Sequence, residues 1–497
     1  MTAQGSVSTT TTTSGRVRGA IVDGVCRFYG VPYAAAPIGA NRFAAPRPHA
    51  GWSGERDATR KGPNAPQTIR AFPGMDTTPF IGDGWHKGDD YLTANIWTPD
   101  VAAKGLPVMV FIHGGGWVAG TSECAAYDGT SFAKNGVVLV SICYRMGIEG
   151  VLPLAGAATN ICLRDMIAAL QWVQQNAGNF GGDAANVTVF GESAGAMSIG
   201  SLLGSPLAKG LFRRAIVQSG HGAMLRTMHS AKVLIAKLAE TLGVSADAEG
   251  FRSKSLEECA NAVEIVTRPG SGLDLREADG RDRTFGLSKF LPLLGDDVVP
   301  EKTLDALAKG ASAQVEVLIG SCSEEMNIYF VPTGVIALED AGMVTALLAA
   351  LTPHAPEILA DYGLGKEGKP GEVLTRALSD LVFRDPVRQF ALAHRGRTHV
   401  YEFGWRSPAF GGRLGACHAL ELPFVFNTLP SCTGPLGFAG EHPPQEIAQH
   451  MHDIWVRFAK TGELPWNAFA ADTREVYRLD RSTAAFEPEM PAAKYRM

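Results

Sequence analysis

The feature that most constrains the fold is a strand-like run followed at once by a glycine-flanked serine. Residues 187–190 are β-branched and aromatic, as in a buried strand, and residues 191–195 read Gly-Glu-Ser-Ala-Gly. The segment after Ser193 is small and helix-compatible, so the sequence predicts a tight turn between a strand and a helix. Glycines are expected where strand and helix pass too close for a β-carbon. We therefore expect Ser193 to have a strained backbone angle and an accessible hydroxyl at the helix N-terminus.

The five-residue pattern alone does not establish a catalytic serine. A glycine-rich turn with a solvated serine is an alternative, because 57 of the 497 residues are glycine and such patterns arise by chance. The predicted strand before the turn and the predicted helix after it favour a nucleophile. Other parts of the chain have to supply its chemical partners.

The remaining chain alternates strand-like and helix-like segments. Continuous apolar runs and other short strand-like runs occupy residues 107–112, 137–142, 215–220, 315–320 and 398–404. Apolar residues recur at helical spacing in residues 164–176 and 445–460. This alternation predicts an α/β fold with a large, mostly parallel central sheet flanked by helices.

The length of the chain is compatible with one large domain that carries insertions. Residues 15–497 read as a single α/β domain, and the Ser/Thr-rich residues 1–14 read as a disordered lead-in. Residues 221–291 and 330–396 are mainly helical and interrupt the strand-like segments. Insertions between core strands are where a cap over an active site is expected.

Composition and charge exclude several classes of partner. The formal net charge is −5 and the charges are spread evenly, so the chain has no basic stripe for nucleic acid. No stretch has the roughly 18 consecutive apolar residues of a membrane span, and residues 1–14 lack the apolar run of a secretory signal. We therefore expect a small-molecule substrate, no nucleic-acid or membrane partner, and a cytoplasmic location.

The eight cysteines also favour a cytoplasmic location. They are scattered without a C-x-x-C pair, which argues against a zinc site and against a disulfide framework. Reduced thiols and the absence of a bound metal are the expectation. Cys417 directly precedes a candidate histidine, but adjacent residues do not easily present their side chains to each other, so a catalytic Cys-His pair is disfavoured.

A glycine loop offers candidate donors for chemistry at Ser193. Residues 113–117 read His-Gly-Gly-Gly-Trp and follow the apolar run 107–112. Successive glycines at a strand end leave backbone N–H groups free to form an oxyanion hole, which stabilises the charge that develops on a carbonyl oxygen. A flexible glycine turn is the alternative. The combination with a later G-x-S-x-G turn favours the oxyanion hole.

A nucleophilic serine needs a histidine base and a carboxylate behind that base. On this type of fold the three follow in the order serine, acid, histidine. His418 lies in a glycine-rich loop after the strand-like run 398–404 and has the expected setting, with a structural loop histidine as the alternative. Glu324 and Glu325 follow the end of the strand-like run 315–320 after three intervening residues. The residues by themselves leave open which of the two glutamates is the acid.

Taken together, these segments resemble the type-B carboxylesterases, the cholinesterase-like branch of the α/β-hydrolases, and especially their bacterial para-nitrobenzyl-esterase-like members. The matching segments are residues 28–34, 95–99, 113–117, 179–183, 191–196 and 415–423. The resemblance implies an α/β-hydrolase fold with helical cap insertions. It also implies a serine carboxylesterase that hydrolyses small uncharged alkyl or aryl esters through an acyl-enzyme and needs no cofactor.

The resemblance also assigns site residues. The family's acid is the second member of an acidic pair after a strand, which favours Glu325 over Glu324. The catalytic residues implied are Ser193, Glu325 and His418. The implied oxyanion donors are the backbone N–H groups of Gly115, Gly116 and Ala194. Ser219 corresponds to a serine that supports the triad in related enzymes, with a structural serine at a strand end as the alternative.

Two departures from the family pattern limit what the resemblance implies. Two positions that form a disulfide in many members hold Ala65 and Tyr91, which is expected of a protein kept in a reducing compartment. The aromatic residues of a choline pocket have no clear counterparts, so cholinesterase activity is not expected. An amidase or carbamate hydrolase with the same triad is an alternative. A non-catalytic binding member of the fold is disfavoured, because all three triad residues are present.

Overall fold

One large sheet organises the computed structural model, which describes residues 6–268, 270–366 and 368–496. The described residues form thirteen strands. They are β1 (Val7–Thr12), β2 (Gly15–Val22), β3 (Val25–Pro32), β4 (Glu55–Asp57), β5 (Thr93–Thr98), β6 (Leu106–Ile112), β7 (Val138–Ile142), β8 (Gly182–Glu192), β9 (Arg214–Gln218), β10 (Glu316–Cys322), β11 (Thr398–Phe403), β12 (Glu475–Arg478) and β13 (Thr483–Phe486). Their order across the sheet is β1-β2-β3-β5-β7-β6-β8-β9-β10-β11-β12-β13, and β4 pairs with β2.

The centre of the sheet is parallel, as predicted. The strands from β7 through β6, β8, β9, β10 and β11 to β12 pair in parallel. The pairs β1–β2, β2–β3, β3–β5, β5–β7 and β12–β13 are antiparallel, and β4 pairs in parallel with β2. Strands β7, β9 and β11 are buried along their whole length. Burial on both faces explains why β7 reads as a mostly apolar run, whereas β11 also buries the polar residues Thr398, His399 and Glu402.

Helices cover both faces of this sheet. In the described part of the chain they are α1 (Thr78–Ile81), α2 (Thr130–Lys134), α3 (Gly147–Gly150), α4 (Ile161–Asn176), α5 (Ala194–Gly204), α6 (Met228–Leu242), α7 (Ala248–Arg252), α8 (Leu256–Thr267), α9 (Thr303–Ala308), α10 (Asn327–Phe330), α11 (Ala341–Ala349), α12 (Ala355–Asp361), α13 (Pro370–Ser379), α14 (Asp385–Ala393), α15 (Leu422–Val425) and α16 (Gln445–Thr461). Helix α16 buries an apolar stripe that includes Met451, Trp455 and Phe458. None of the described helices combines the length and apolar character needed to cross a bilayer.

The predicted disordered lead-in is wrong for the residues that the structure describes. Val7–Thr12 forms strand β1, which pairs antiparallel with β2 from Val7 opposite Ala20 to Thr12 opposite Gly15. Threonine is β-branched and suits a strand, although a run of polar threonines lacks the apolar alternation that usually identifies one. Residues 1–5, the rest of that predicted segment, lie outside the described residues.

Two long segments separate the later parallel strands, one between β9 and β10 and the other between β10 and β11. The first, residues 221–291, contains α6, α7 and α8. The second, residues 330–396, contains α11 to α14 and a π-helical stretch at Asp380–Arg384, which directly precedes α14. Irregular helical turns of this kind are common near functional sites.

Candidate active site

Ser193 lies at the turn between β8 and α5, as the sequence predicts. Its backbone angles are φ 54° and ψ −124°, a conformation that non-glycine residues rarely adopt. The Ser193 N–H donates to the carbonyl of Gln218 at the end of β9, 3.0 Å away. A β-carbon at Gly191 would lie 2.5 Å from the Ile112 carbonyl, and one at Gly195 would lie 2.0 Å from it. Only glycine therefore fits at positions 191 and 195, two residues before and two residues after this serine.

Two residues of the loop after β6 and the first residue of α5 line the same cavity and carry the three predicted donor N–H groups. Gly115 and Gly116 have positive φ values of 100° and 63°, which glycine adopts without strain. Ala194 is the first residue of α5. Within the described residues, the N–H groups of these three residues donate to no protein acceptor. Unpaired N–H groups at a helix start and in a glycine loop are suited to bind an anionic oxygen.

Glu325 is fully buried, and both of its carboxylate oxygens accept hydrogen bonds. Oε2 lies 2.6 Å from Nδ1 of His418. Oε1 accepts from the Ser219 hydroxyl at 2.7 Å and from the Cys322 N–H at 2.8 Å. These contacts fix the carboxylate behind the imidazole ring. An ionised carboxylate in this position orients the ring and stabilises its protonated form.

Glu324, the neighbouring glutamate, lies in a different environment. One of its oxygens pairs with the partly exposed Arg406, and the other accepts from the Ala416 N–H at 2.9 Å. The loop after β10 therefore directs Glu325 toward His418 and Glu324 toward the surface.

The other nitrogen of His418 faces Glu192, the residue before the serine. His418 Nε2 lies 3.0 Å from Oε1 of Glu192, and both side chains are almost completely buried. Among the described residues, no hydrogen bond joins His418 Nε2 to the Ser193 hydroxyl. Catalytic hydrogen bonds are often long in the absence of substrate and shorten when it binds.

The groups around His418 favour its charged form. Burial lowers the pKa of His418, but Tyr329, Glu192 and Glu325 together outweigh burial and place that pKa well above its ordinary value. Burial raises the pKa of Glu192, and His418 partly opposes this effect. The protonation states of His418 and Glu192 therefore depend on each other.

All of the predicted site residues except Glu325 and Ser219 line one cavity of about 460 Å³. Glu325 and Ser219 lie behind His418, outside that cavity. The apolar part of the wall includes Phe72, Phe80, Ile81, Leu287 and Ile328. The rings of Phe383 and Tyr329 pack against the imidazole of His418, with centroids 4.7 and 5.9 Å away. Among the described residues, no cluster of three or more His, Cys, Asp or Glu side chains is arranged to hold a metal ion.

Two buried glutamates close to Ser193 and His418 were not predicted from the sequence. Glu192 occupies the variable position before Ser193, where a charged residue at the end of a buried strand was the available signal. Glu421 lies one turn beyond His418 and accepts from Gln218 and from the Cys322 thiol, each at 3.2 Å. Burial raises the pKa of Glu421 to about 8. Buried acids of this kind are expected at functional sites more often than elsewhere.

The geometry agrees with comparisons to known proteins. A model of the carboxylesterase family matches residues 5–496. The chain belongs to the carboxylesterase family. This carboxylesterase is 35% identical to the para-nitrobenzyl esterase of Bacillus subtilis (strain 168), over 96% of each protein. It is 32% identical to the phenmedipham hydrolase of Pseudarthrobacter oxydans, over 93% of this chain and 92% of that protein.

Solved structures give the same result. A PNB esterase structure matches the carboxylesterase with a TM-score of 0.83 at 31% identity, covering 98% of this chain and 99% of that one. A carboxylesterase from Geobacillus stearothermophilus matches with a TM-score of 0.82 at 32% identity, covering 97% and 98%. The predicted family and α/β-hydrolase fold are therefore confirmed, and the protein is a serine carboxylesterase. The amidase and non-catalytic alternatives are not favoured.

Proposed function

We propose that Ser193 is the nucleophile, His418 the general base and Glu325 the orienting acid of this carboxylesterase. Ser193 attacks the ester carbonyl while His418 Nε2 takes the hydroxyl proton. The protonated imidazole then gives that proton to the departing alcohol, and water repeats the sequence on the acyl-enzyme. The single observation that carries this proposal is the 2.6 Å contact between Glu325 and His418, whose ring lines the same cavity as Ser193.

The charge that develops on the carbonyl oxygen requires donors beside the serine. The N–H groups of Gly115, Gly116 and Ala194 are assigned this role because they line the cavity and donate to no acceptor among the described residues. Donors held in place before the reaction stabilise an oxyanion without reorganisation, and each is worth on the order of 10²–10³ in turnover.

Ser219 and Glu192 are assigned positioning roles. Ser219 holds Oε1 of Glu325, so that Oε2 remains directed at His418. Glu192 lies close to His418 Nε2, where its carboxylate favours the imidazolium that forms during attack. Neither side chain is required to form or break a bond with the substrate.

The substrate class follows from the cavity wall. Its many apolar side chains favour the small uncharged alkyl or aryl esters expected from the sequence. Water and the protein's own residues supply every group that the proposed reaction uses. A cytoplasmic location remains a prediction, which fractionation of the source cells followed by an esterase assay tests.

Substitution of the nucleophile tests the triad assignment. In Ser193→Ala we expect kcat for an aryl ester to fall by about 10⁶, the size of effect measured when the serine of another triad enzyme is removed. The circular dichroism spectrum and the melting temperature should remain those of the unaltered chain, since the substitution removes only one hydroxyl oxygen and leaves the packing unchanged. A folded Ser193→Ala protein that keeps most of its activity would refute the assignment.

A further inference from the structure

Two basic side chains line the cavity that holds Ser193. They are Arg70, in the loop before α1, and Lys289, at the end of the first inserted segment. The only acidic residue in the same described lining is Glu192, which lies against His418. The two cations therefore line a cavity whose one described acid lies against His418 and does not pair with either of them.

Arg70 has no ion-pair partner among the described residues. Its Nη2 donates to the Thr267 hydroxyl at 2.9 Å, while its Nε is buried and has no hydrogen-bond partner. The acid whose charge bears on it is Glu264, and Glu264 pairs with Arg268 at 2.6 Å. Burial lowers the pKa of Arg70, but a guanidinium remains charged at neutral pH. A guanidinium that lines a cavity without a counter-ion is suited to bind an anion there.

Lys289 is likewise without a carboxylate partner in the described part of the chain. Its Nζ donates to the Val266 carbonyl at 2.8 Å, to the Ser271 hydroxyl at 2.5 Å and to the Arg268 carbonyl at 3.4 Å. Burial lowers the pKa of Lys289. All three acceptors are uncharged, so they orient the ammonium group without neutralising it.

We propose that the cavity also accepts a second class of ester, in which a carboxylate remote from the scissile bond binds Arg70 and is attracted by the charge of Lys289. This inference rests on the proposed function, because it concerns the same cavity and the same reaction. The two oxygens of a carboxylate match the paired N–H donors of a guanidinium, and the nearby ammonium group adds a second positive charge that attracts the anion. The apolar wall provided by Phe72 and Leu287 suits an aliphatic or aromatic spacer between carboxylate and ester.

Paired substrates test the proposal on both sides of the ester. For the acyl side, kcat/KM is measured for the 4-nitrophenyl monoesters of adipic and suberic acid against uncharged esters of equal length, such as the heptanoate. These spacers are long enough to limit attack of the carboxylate on its own ester. For the alcohol side, 4-acetoxybenzoate is compared with phenyl acetate. We expect at least one carboxylate substrate to be favoured about tenfold over its uncharged counterpart, the size of a charge-assisted hydrogen bond.

Substitutions and salt identify the groups responsible. Arg70→Met and Lys289→Met should each remove most of the preference, whereas Lys209→Met, at an exposed lysine away from the cavity, should leave it unchanged. The preference of the unaltered chain should also shrink as ionic strength rises, a test that does not depend on how a variant folds.

The outcomes separate this inference from the proposed function. Turnover of the heptanoate and of phenyl acetate with no preference for any of the three carboxylate substrates would overturn the inference and leave the proposed function standing. A preference unaffected by Arg70→Met, Lys289→Met and salt would overturn it as well. Failure to turn over any of the esters, charged or uncharged, would count against the proposed function.

Discussion

Two neighbouring glutamates, Glu324 and Glu325, have opposite surroundings in the loop after β10. Glu325 is fully buried and binds His418, Ser219 and the Cys322 amide. Glu324 reaches the surface, where it pairs with Arg406. The residue type and the strand end are the same, so the difference comes from the loops that meet each side chain. Burial with a complete set of hydrogen-bond donors is what makes one carboxylate suitable to orient a base.

The same substitution at both positions tests this comparison, and among the tests of the comparison it has the largest expected effect. Glu325→Gln should lower kcat by about 10⁴, because a neutral amide neither stabilises the imidazolium nor favours the required tautomer, as in other triads. Glu324→Gln should change kcat by less than about threefold, since an exposed ion pair contributes only ~0–1 kcal/mol. Steady-state kinetics on one aryl ester measures both. Equal losses in the two variants would show that the contrast has no catalytic consequence.

A smaller effect is expected when the support behind Glu325 is removed. Ser219→Ala deletes the hydroxyl that donates to Oε1 and leaves the Cys322 N–H in place. We expect kcat to fall about tenfold, because a hydrogen bond to a charged group is worth about 1.5–3 kcal/mol and one of two donors remains.

Ser201→Ala is the matched control for this substitution. Ser201 is also a buried serine, but its hydroxyl donates to the Met197 carbonyl within α5. Removal of this hydroxyl should leave kcat within about twofold of its original value, since the helix keeps its backbone hydrogen bonds without it. The same loss in both variants would assign Ser219 a merely structural role.

The smallest expected effect is a displaced pH profile. Only the neutral imidazole accepts the serine proton, so activity should fall as the pH drops through the pKa of His418. Because that pKa is raised, the midpoint of this acid limb should lie above the ordinary histidine value of about 6.5. Glu192→Gln removes one nearby carboxylate, so this acid limb should move to lower pH. Profiles of kcat/KM against pH measure the limb. An unchanged limb, or one displaced to higher pH, would show that Glu192 does not set the charge of His418.

The sequence predicted the local features of this site better than its tertiary contacts. The turn at Ser193 was predictable because a strand, two glycines and a helix start lie within a dozen consecutive residues. The assignment of Glu325 needed the family resemblance, since nothing in the neighbourhood of the two glutamates distinguishes which one turns inward. Glu192 was missed because a buried carboxylate has no periodic signal, and its significance depends on an imidazole that is more than 200 residues away.

The first strand illustrates a different limit of sequence reasoning. Residues 1–14 were expected to be disordered, yet within them β1 pairs with β2 along six residues. Strand pairing satisfies backbone groups whatever the side chains, so a polar, threonine-rich strand can form wherever a neighbouring edge is available. The parallel centre was easier to predict, because burial on both faces requires apolar runs.

Covalent labelling with a fluorophosphonate tests the central claim most directly, that Ser193 is a nucleophile activated by His418 and Glu325. Intact mass and peptide mapping would locate the phosphonyl group, and the rate of its appearance would be compared between variants. We expect one label per chain, on Ser193, at the same rate in Glu324→Gln, far more slowly in Glu325→Gln and not at all in Ser193→Ala. Labelling of another residue, or undiminished labelling of the Ser193→Ala protein, would contradict the account.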